Sequence, residues 1–351
     1  MPRVRLAGRP ATLLGIVVAF VGGVAAGIQA RVNGGLGSRL HDGIAAAILS
    51  NASAATLAVL ISLMLPSGRA GLRRLGASLR TGRIRAWEYL GGIFGAAFVA
   101  SQGLSVGALG VAVFTVAAVA GQSGSGLLVD LSGIGPGGRR AVTGWRVLGA
   151  LLAVVAVLVA VEGQLRTPGR LVFAILPLVA GAGIAWQAAI NGRLREAGGV
   201  LPVTFVNATV GTVALLLAFA VSVYVRGWPA GAAPREPWLY VGGPLGIVVI
   251  ASSVIVVRQI GVLLLALGFV AGQVVGALGA DLVAPGSAGP PGRATILSAA
   301  LTLLAVLIAA YRSAGPPRVV PPALTPPVEK PADPPVEEPQ RRIVIRHPYP
   351  L

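Results

Sequence analysis

Apolar residues fall in ten runs along the chain, at 11–30, 43–65, 88–106, 108–129, 144–162, 171–190, 202–225, 238–257, 260–282 and 294–311. Each is close to the ~20 residues that carry a helix across the hydrocarbon layer of a membrane. Apolar and polar positions do not alternate within the runs, which excludes the strands of a membrane barrel. The pattern predicts an all-α integral membrane protein of about ten transmembrane helices. Short Gly-containing links alone divide the third run from the fourth and the eighth from the ninth. The first run follows Arg3, Arg5 and Arg9 and so has the outline of a signal peptide. A twin of it lies inside the chain, and a retained span is the better reading.

That twin belongs to a repeat. "GIQARVNGGL" from Gly27 returns as "AWQAAINGRL" from Ala185, 158 residues later. Asn51 and Thr56 return as Asn207 and Thr212, and "WEYLGGIFG" from Trp87 returns as "WLYVGGPLG" from Trp238. Gly121-Gln122 recurs as Gly272-Gln273, and Asp130 as Asp281. The order is preserved, so the runs form two units of five, at residues 1–165 and 166–312. Five crossings leave the chain on the far side of the bilayer. The second unit therefore enters upside down, as in the inverted repeats of many secondary transporters.

Charge gives these units a direction. With the N-terminus inside, the inner segments hold 15 arginines and the outer loops seven. Cytoplasmic loops carry such an excess. The contrast is sharpest between equivalent loops. Arg69, Arg73, Arg74, Arg80, Arg83 and Arg85 crowd the one after the second run, whereas its counterpart has Arg226, Arg235 and Glu236. The six-Arg loop can form a short surface helix with Leu72, Leu75 and Leu79 on one side, against anionic head groups or simply as a topology signal. A net charge of +17 would suggest nucleic acid in a soluble protein, but arginines flanking spans account for it here. Hydrophobic residues make up 55% and charged residues 11%, too little polar surface for a water-soluble globule. Both termini are expected in the cytoplasm, with the chain in the inner membrane of a bacterium. Residues 313–351 change character: they are Pro-rich and read as a disordered cytoplasmic tail.

Candidate chemistry is uncharged. Gln29 and Asn33 stand four residues apart and share a helical face, as do Gln187 and Asn191. An amide in lipid must find partners, because no water is there to satisfy it. Such groups commonly clamp helices together, and they also line the substrate path at a repeat interface. Asn33-Gly34 also favours a turn at the end of its span. Asn51 and Asn207 lie deeper and are the best pair for a shared polar centre. Gln122 and Gln273, inside the fourth run of each unit, come next. Trp186 replaces Ile28 of the first unit and reads either as one wall of a pocket or as an interface aromatic. Gly23/Gly27, Gly91/Gly95, Gly242/Gly246 and Gly272/Gly276 have the spacing that lets helices approach closely. "GQSGSG" at 121–126 lacks the Lys-Ser/Thr ending of a phosphate loop. Asp130, Glu162 and Asp281 fall near span ends and read as solvated helix termini.

"GIQARVNGGLGSRL", Asn51 in the second run and "GQSGSGLLVDLSGIG" together resemble the YdcZ-like family of the drug/metabolite transporter superfamily. The resemblance covers about residues 11–311 as two fused five-helix units. It implies an inner-membrane exporter with ten helices and no particular substrate. The second unit departs from the pattern where Gly27, Gly37 and Gly124 become Ala185, Arg195 and Val275, so the two halves are expected to contribute unequally.

These observations favour a secondary carrier for a small neutral, zwitterionic or lipophilic solute, working by alternating access. The rival is an ion or small-solute channel with the same inverted symmetry. An intramembrane enzyme ranks last, since no cysteine is present and no histidine or carboxylate pair falls within the spans to act as base, nucleophile or ligand. No cofactor or metal is expected. The expected partners are the lipid bilayer and an unidentified small molecule, and the sequence leaves oligomeric state open.

Overall fold

The computed structural model describes residues 9–134, 143–162, 168–228, 231–284 and 289–310. Side chains at 9–12, 161, 168–172, 226, 250, 251, 253–267, 309 and 310 also fall outside the description. So do the tail and the arginines at 139, 140 and 166.

Ten α-helices account for most of the described residues: α1 (Arg9–Leu40), α2 (Gly43–Met64), α3 (Pro66–Arg80), α4 (Gly92–Leu109), α5 (Val111–Ser132), α6 (Gly144–Val161), α7 (Pro168–Gly198), α8 (Val200–Arg226), α9 (Gly242–Val283) and α10 (Arg293–Ala310). Short 3₁₀ turns at Ala86–Gly91 and Pro237–Tyr240 lead into α4 and α9. By length and apolarity six stretches suit a membrane crossing: Leu13–Leu40, Gly43–Met64, Ala86–Leu109, Val111–Ser132, Phe173–Gly198 and Val200–Val225. Gly144–Ala160, Gly268–Val283 and Arg293–Ile308 are shorter apolar helices.

The interior is built from small residues and the exterior from large ones. Ala30, Ala46, Ala47, Ala117, Ala118, Ala156 and Ala277 are fully buried, while Leu13, Val17, Leu216, Leu217, Val221 and Leu307 are exposed. A water-soluble core has the reverse preference. In lipid, large apolar side chains lose nothing by facing outward, and small ones let backbones approach. Gly23 shows the approach: a Cβ there would collide with the Phe269 carbonyl of α9. A Cβ on Gly181 would likewise strike the Ala118 carbonyl of α5.

Packing partners cross the chain. α1 lies along α9, α7 along α4 and α5, α2 against α8, and α6 against α10. Ala30, Val106, Val111, Phe114, Ala118 and Ala277 bring α1, α4, α5 and α9 together in one core. Phe98 and Phe114 meet edge to face there, with centroids 5.6 Å apart.

Several boundaries differ from the sequence expectation. α1 and α7 run past Asn33 and Asn191, to Leu40 and Gly198. Asn33-Gly34 is therefore helix interior rather than a turn. The reason is tertiary: Gly34 packs on Val106, Gly35 on Leu239, and Gly37 on the Gly103 backbone. α1 ends at His41, in the left-handed region (φ 54), and Asp42 caps α2 by accepting from Ile44 and Ala45 N–H at 2.8 and 2.9 Å. Gly110, with φ 81, separates α4 from α5 as the short link predicted.

α9 is continuous over 42 residues, where the pattern predicts two spans. At 1.5 Å per residue a straight helix of that length would be about 63 Å, twice the hydrocarbon layer. Its contacts show that it is not straight. A Cβ on Gly22 would touch both Ser252 Cβ (2.8 Å) and Phe269 Cδ2 (3.8 Å). Those residues would sit about 25 Å apart on a straight helix. Before residue 252, α9 runs antiparallel to α1: Gly242 faces Asn33 and Gly246 faces Gln29. After residue 268 it runs parallel: Gly268 faces Ala19, Gly272 faces Phe20 and Gly276 faces Val24. The two ends of α9 thus run in opposite directions along α1.

The six-Arg loop does form a helix, α3, with Pro66 at its first turn. Its buried face is Gly68, Gly71, Leu75 and Ser78, seated on Gly198 and Pro202. Of the three leucines expected on one side, Leu75 is buried against Gly198, Leu72 is half-buried and Leu79 is exposed.

Candidate functional site

Two groups of amides form where the first helix of each repeat meets its neighbours. In one group, Gln187 and Asn191 sit a turn apart on α7 and Asn207 on α8 joins them. Gln187 Nε2 donates to Asn207 Oδ1 at 2.9 Å. Asn207 Nδ2 donates to Asn191 Oδ1 at 2.8 Å and to the Val203 carbonyl at 2.9 Å. The start of α4 makes room for this chain of amides. A Cβ on Gly95 would stand 2.7 Å from Gln187 Nε2, and one on Gly91 3.3 Å from Asn191 Oδ1.

The other group has the same parts in a different arrangement. Gln29 Nε2 donates to the Gly242 carbonyl at 2.8 Å, and a Cβ on Gly246 would stand 2.8 Å from that nitrogen. Asn33 is fully buried and donates to Gln102 Oε1 of α4 at 2.7 Å. Its Oδ1 faces Gly242 without a hydrogen-bond donor. Two of the four glycine pairs read as helix contacts, Gly91/Gly95 and Gly242/Gly246, thus serve as cradles for amides.

Asn51 crosses between the halves: its Nδ2 donates to Thr212 Oγ1 at 2.8 Å and to the Ala208 carbonyl at 3.1 Å. Asn207 instead bonds within α7 and α8, so this repeat-matched pair is bonded asymmetrically. Gly211 lies between their surroundings, near Asn51 Nδ2 and the Gly92 carbonyl. Gln122 and Trp186 are half-buried and Gln273 is buried. No side-chain hydrogen bond to another described residue brings these three into the network.

Sequence reasoning missed Gln102 and Glu88. Gln102 is 2% exposed, and Glu88, in the 3₁₀ turn before α4, is 0% exposed. Neither has a repeat partner of its own kind, the signal that found the other amides. For Glu88 that mismatch is itself the signal, since Leu239 stands at the equivalent place. Arg193 Nε lies 3.1 Å from Glu88 Oε2, an ion pair without hydrogen-bond alignment.

Asp130 pairs with Arg146, and Arg39 with Glu236. The Glu236 carboxyl is held below its ordinary range, first by its own backbone N–H and then by Arg39. The expectation of solvated carboxylates at span ends is corrected for Asp281, which is 3% exposed. Its Oδ2 accepts from Ala112 N–H at 2.8 Å. Gly110 leaves the first turn of α5 without a side-chain cap, and Asp281 supplies one from α9. An open cavity of about 740 Å³ lies apart from the amides, lined by Arg39, His41, Gly231, Pro234, Arg235 and Glu236.

An apolar exterior, helices long enough to cross a bilayer and a polar seam inside define a multi-pass helical membrane protein. The family model described as "Putative inner membrane exporter, YdcZ" matches residues 14–159 and again 172–311. The chain belongs to this family, with two matching units in succession. Neither a curated protein nor a solved structure matches it.

Proposed function

We propose that the chain is a secondary carrier built from two inverted five-helix halves, 1–165 and 166–312. It moves a small neutral, zwitterionic or lipophilic solute across the inner membrane by alternating access. The ten spans are α1, α2, α4–α8, the two limbs of α9, and α10. One observation carries the reading. Gln29 sits against Gly246 and Gln187 against Gly95. Those contacts are equivalent under the repeat, and each joins the first helix of one half to the third helix of the other. Two halves that exchange contacts in this way can rock about the seam between them, which is how inverted repeats alternate access.

The seam suits a solute without strong charge. Its donors and acceptors are amides, hydroxyls and backbone groups, and they bond to one another in this arrangement. A solute offering the same groups exchanges one set of hydrogen bonds for another at small net cost. A strongly ionic one would lose hydration without a counter-charge. Gln29, Asn33, Asn51, Gln187, Asn191 and Asn207 are assigned to the path, with Gln122, Trp186 and Gln273 as further lining. With the N-terminus and tail in the cytoplasm, α3 and its exposed arginines face inward.

The test has two stages. A thermal-shift screen of purified protein against metabolites and drugs identifies ligands that bind the folded state and raise its melting temperature. Transport of such a ligand into proteoliposomes should saturate and show counterflow. Asn51→Ala and Asn207→Ala should each abolish transport in protein that still purifies intact. Unchanged transport in both variants would remove the seam from the path.

A further inference from the structure

The two amide groups close in different ways. In the second half Asn191 Oδ1 accepts from Asn207 at 2.8 Å and Asn207 Oδ1 accepts from Gln187 at 2.9 Å. All three stand on α7 and α8, so the chain of amides is complete within one half. Under the repeat Asn33 takes the place of Asn191, and Asn51 that of Asn207. Asn51 does not return to Asn33, because its Nδ2 bonds across the seam to Thr212 and Ala208. Asn33 donates to Gln102, yet its own Oδ1 is buried without a donor.

A buried acceptor left without a donor is costly, and each one in a native structure calls for a reason. A second polar atom shares this spot. A Cβ on Gly242, at the start of α9, would overlap Asn33 Oδ1 and stand 2.7 Å from Ser50 Oγ. Asn33 is 0% exposed and Ser50 5%. The Ser50 hydroxyl donates to no described residue. A glycine of the second half thus covers an acceptor and a hydroxyl of the first. Under the carrier reading, on which this inference rests, the halves part at the seam and Gly242 moves off both groups. The amides of α7 and α8 still satisfy one another, whereas Asn33 Oδ1 and Ser50 Oγ turn to the solute.

We propose that the first half holds its solute by a carboxamide group. The N–H of that group donates to Asn33 Oδ1, as Asn207 Nδ2 does to Asn191. Its carbonyl accepts from the Ser50 hydroxyl, as Asn207 Oδ1 does from Gln187. The solute thereby takes the part that the Asn207 side chain plays in the other half. Charged groups fit the pair less well. A carboxylate has no hydrogen to give Asn33, and an ammonium has no lone pair for the Ser50 hydroxyl. A carboxamide supplies both and brings no charge among uncharged groups.

Purified protein is titrated with propionamide and benzamide, with butanone and acetophenone, and with propanol and benzyl alcohol. The ketones replace the amide nitrogen by a methyl, and the alcohols donate and accept through one oxygen. Apparent Kd is read from the rise in melting temperature with concentration. Each amide should bind at least about tenfold tighter than its ketone, which leaves Asn33 Oδ1 without a donor. It should also bind tighter than its alcohol. Asn33→Leu should erase the preference over the ketone. Ser50→Ala, which removes a hydroxyl that donates to no described residue, should weaken amide and ketone alike by about fivefold. If Asn33→Leu does not fold, the parent titrations and Ser50→Ala still decide. A ketone or alcohol that matches its amide overturns the proposal, as does a preference that survives Asn33→Leu. Unchanged affinities in Ser50→Ala, or no binding of either amide, overturn it too. The two readings fail separately: amide preference without saturable counterflow removes the carrier, whereas counterflow without amide preference removes only the carboxamide site.

Discussion

Asn207 and Gln122 occupy opposite ends of one argument about amides in a membrane. Asn207 makes three hydrogen bonds, to Gln187, Asn191 and the Val203 carbonyl. Gln122 is half-buried and makes none with a described side chain. Interhelical hydrogen bonds in lipid contribute about 0.6 to 2 kcal/mol each. Asn207→Ala should therefore lower stability by roughly 1 to 3 kcal/mol, with Gln187 and Asn191 left unpaired. Gln122→Ala should cost under about 0.5 kcal/mol, as substitutions away from such bonds do. Thermal unfolding in detergent separates them, and equal losses would contradict the bonding described. Transport distinguishes lining from clamping: Gln122→Ala should slow it with stability intact. Asp281 makes a similar case, since it alone supplies a cap to α5. Asp281→Ala should destabilise by about 1 kcal/mol, the usual value of a lost cap. An unchanged melting temperature would return Asp281 to the status of an ordinary helix end.

At the scale of elements, glycine decides how near the helices come. Gly23→Val would drive a branched side chain into the Phe269 carbonyl of α9. Overpacking of that kind costs about 1 to 3 kcal/mol. Gly124, on α5, has open space, and Gly124→Ala should be neutral or stabilising by up to about 1 kcal/mol through helix propensity. Melting temperatures of the two variants test this together. The same scale shows what the sequence made legible. Six of the expected spans declared themselves by length and apolarity among the described residues, and the repeat located the amides in pairs. The ends of α1 and α7 were hidden, because Asn-Gly reads locally as a turn while contacts from Val106, Gly103 and Leu239 hold it helical. The contact side of α3 was hidden because Gly68, Gly71 and Ser78 share it with Leu75, and only Gly71 and Leu75 meet Gly198 and Pro202. Glu88 and Gln102 escaped because neither residue type recurs at its repeat position. The partners of the amides lay beyond reading as well, since Asn51 and Asn207 match in sequence yet bond to different helices.

For the whole molecule, the contact pattern and the arginines meet in one claim: the halves are inverted. α1 lies on α9 and α7 on α4 and α5, so each half is held by helices of the other. The opposed directions of the two ends of α9 supply the odd number of crossings that the proposed inversion requires. The proposed passage of uncharged solutes and the proposed alternating access both depend on that geometry. Reporters of compartment can be placed where they disturb little, at Gly76 in α3 and at Ala232 in the loop before Pro237. A cysteine at each position, labelled by an impermeant maleimide in sealed right-side-out and inverted vesicles, reads the two sides directly. The account predicts that Gly76→Cys reacts only from the cytoplasmic face and Ala232→Cys only from the outer face. Labelling of both from the same face would contradict it.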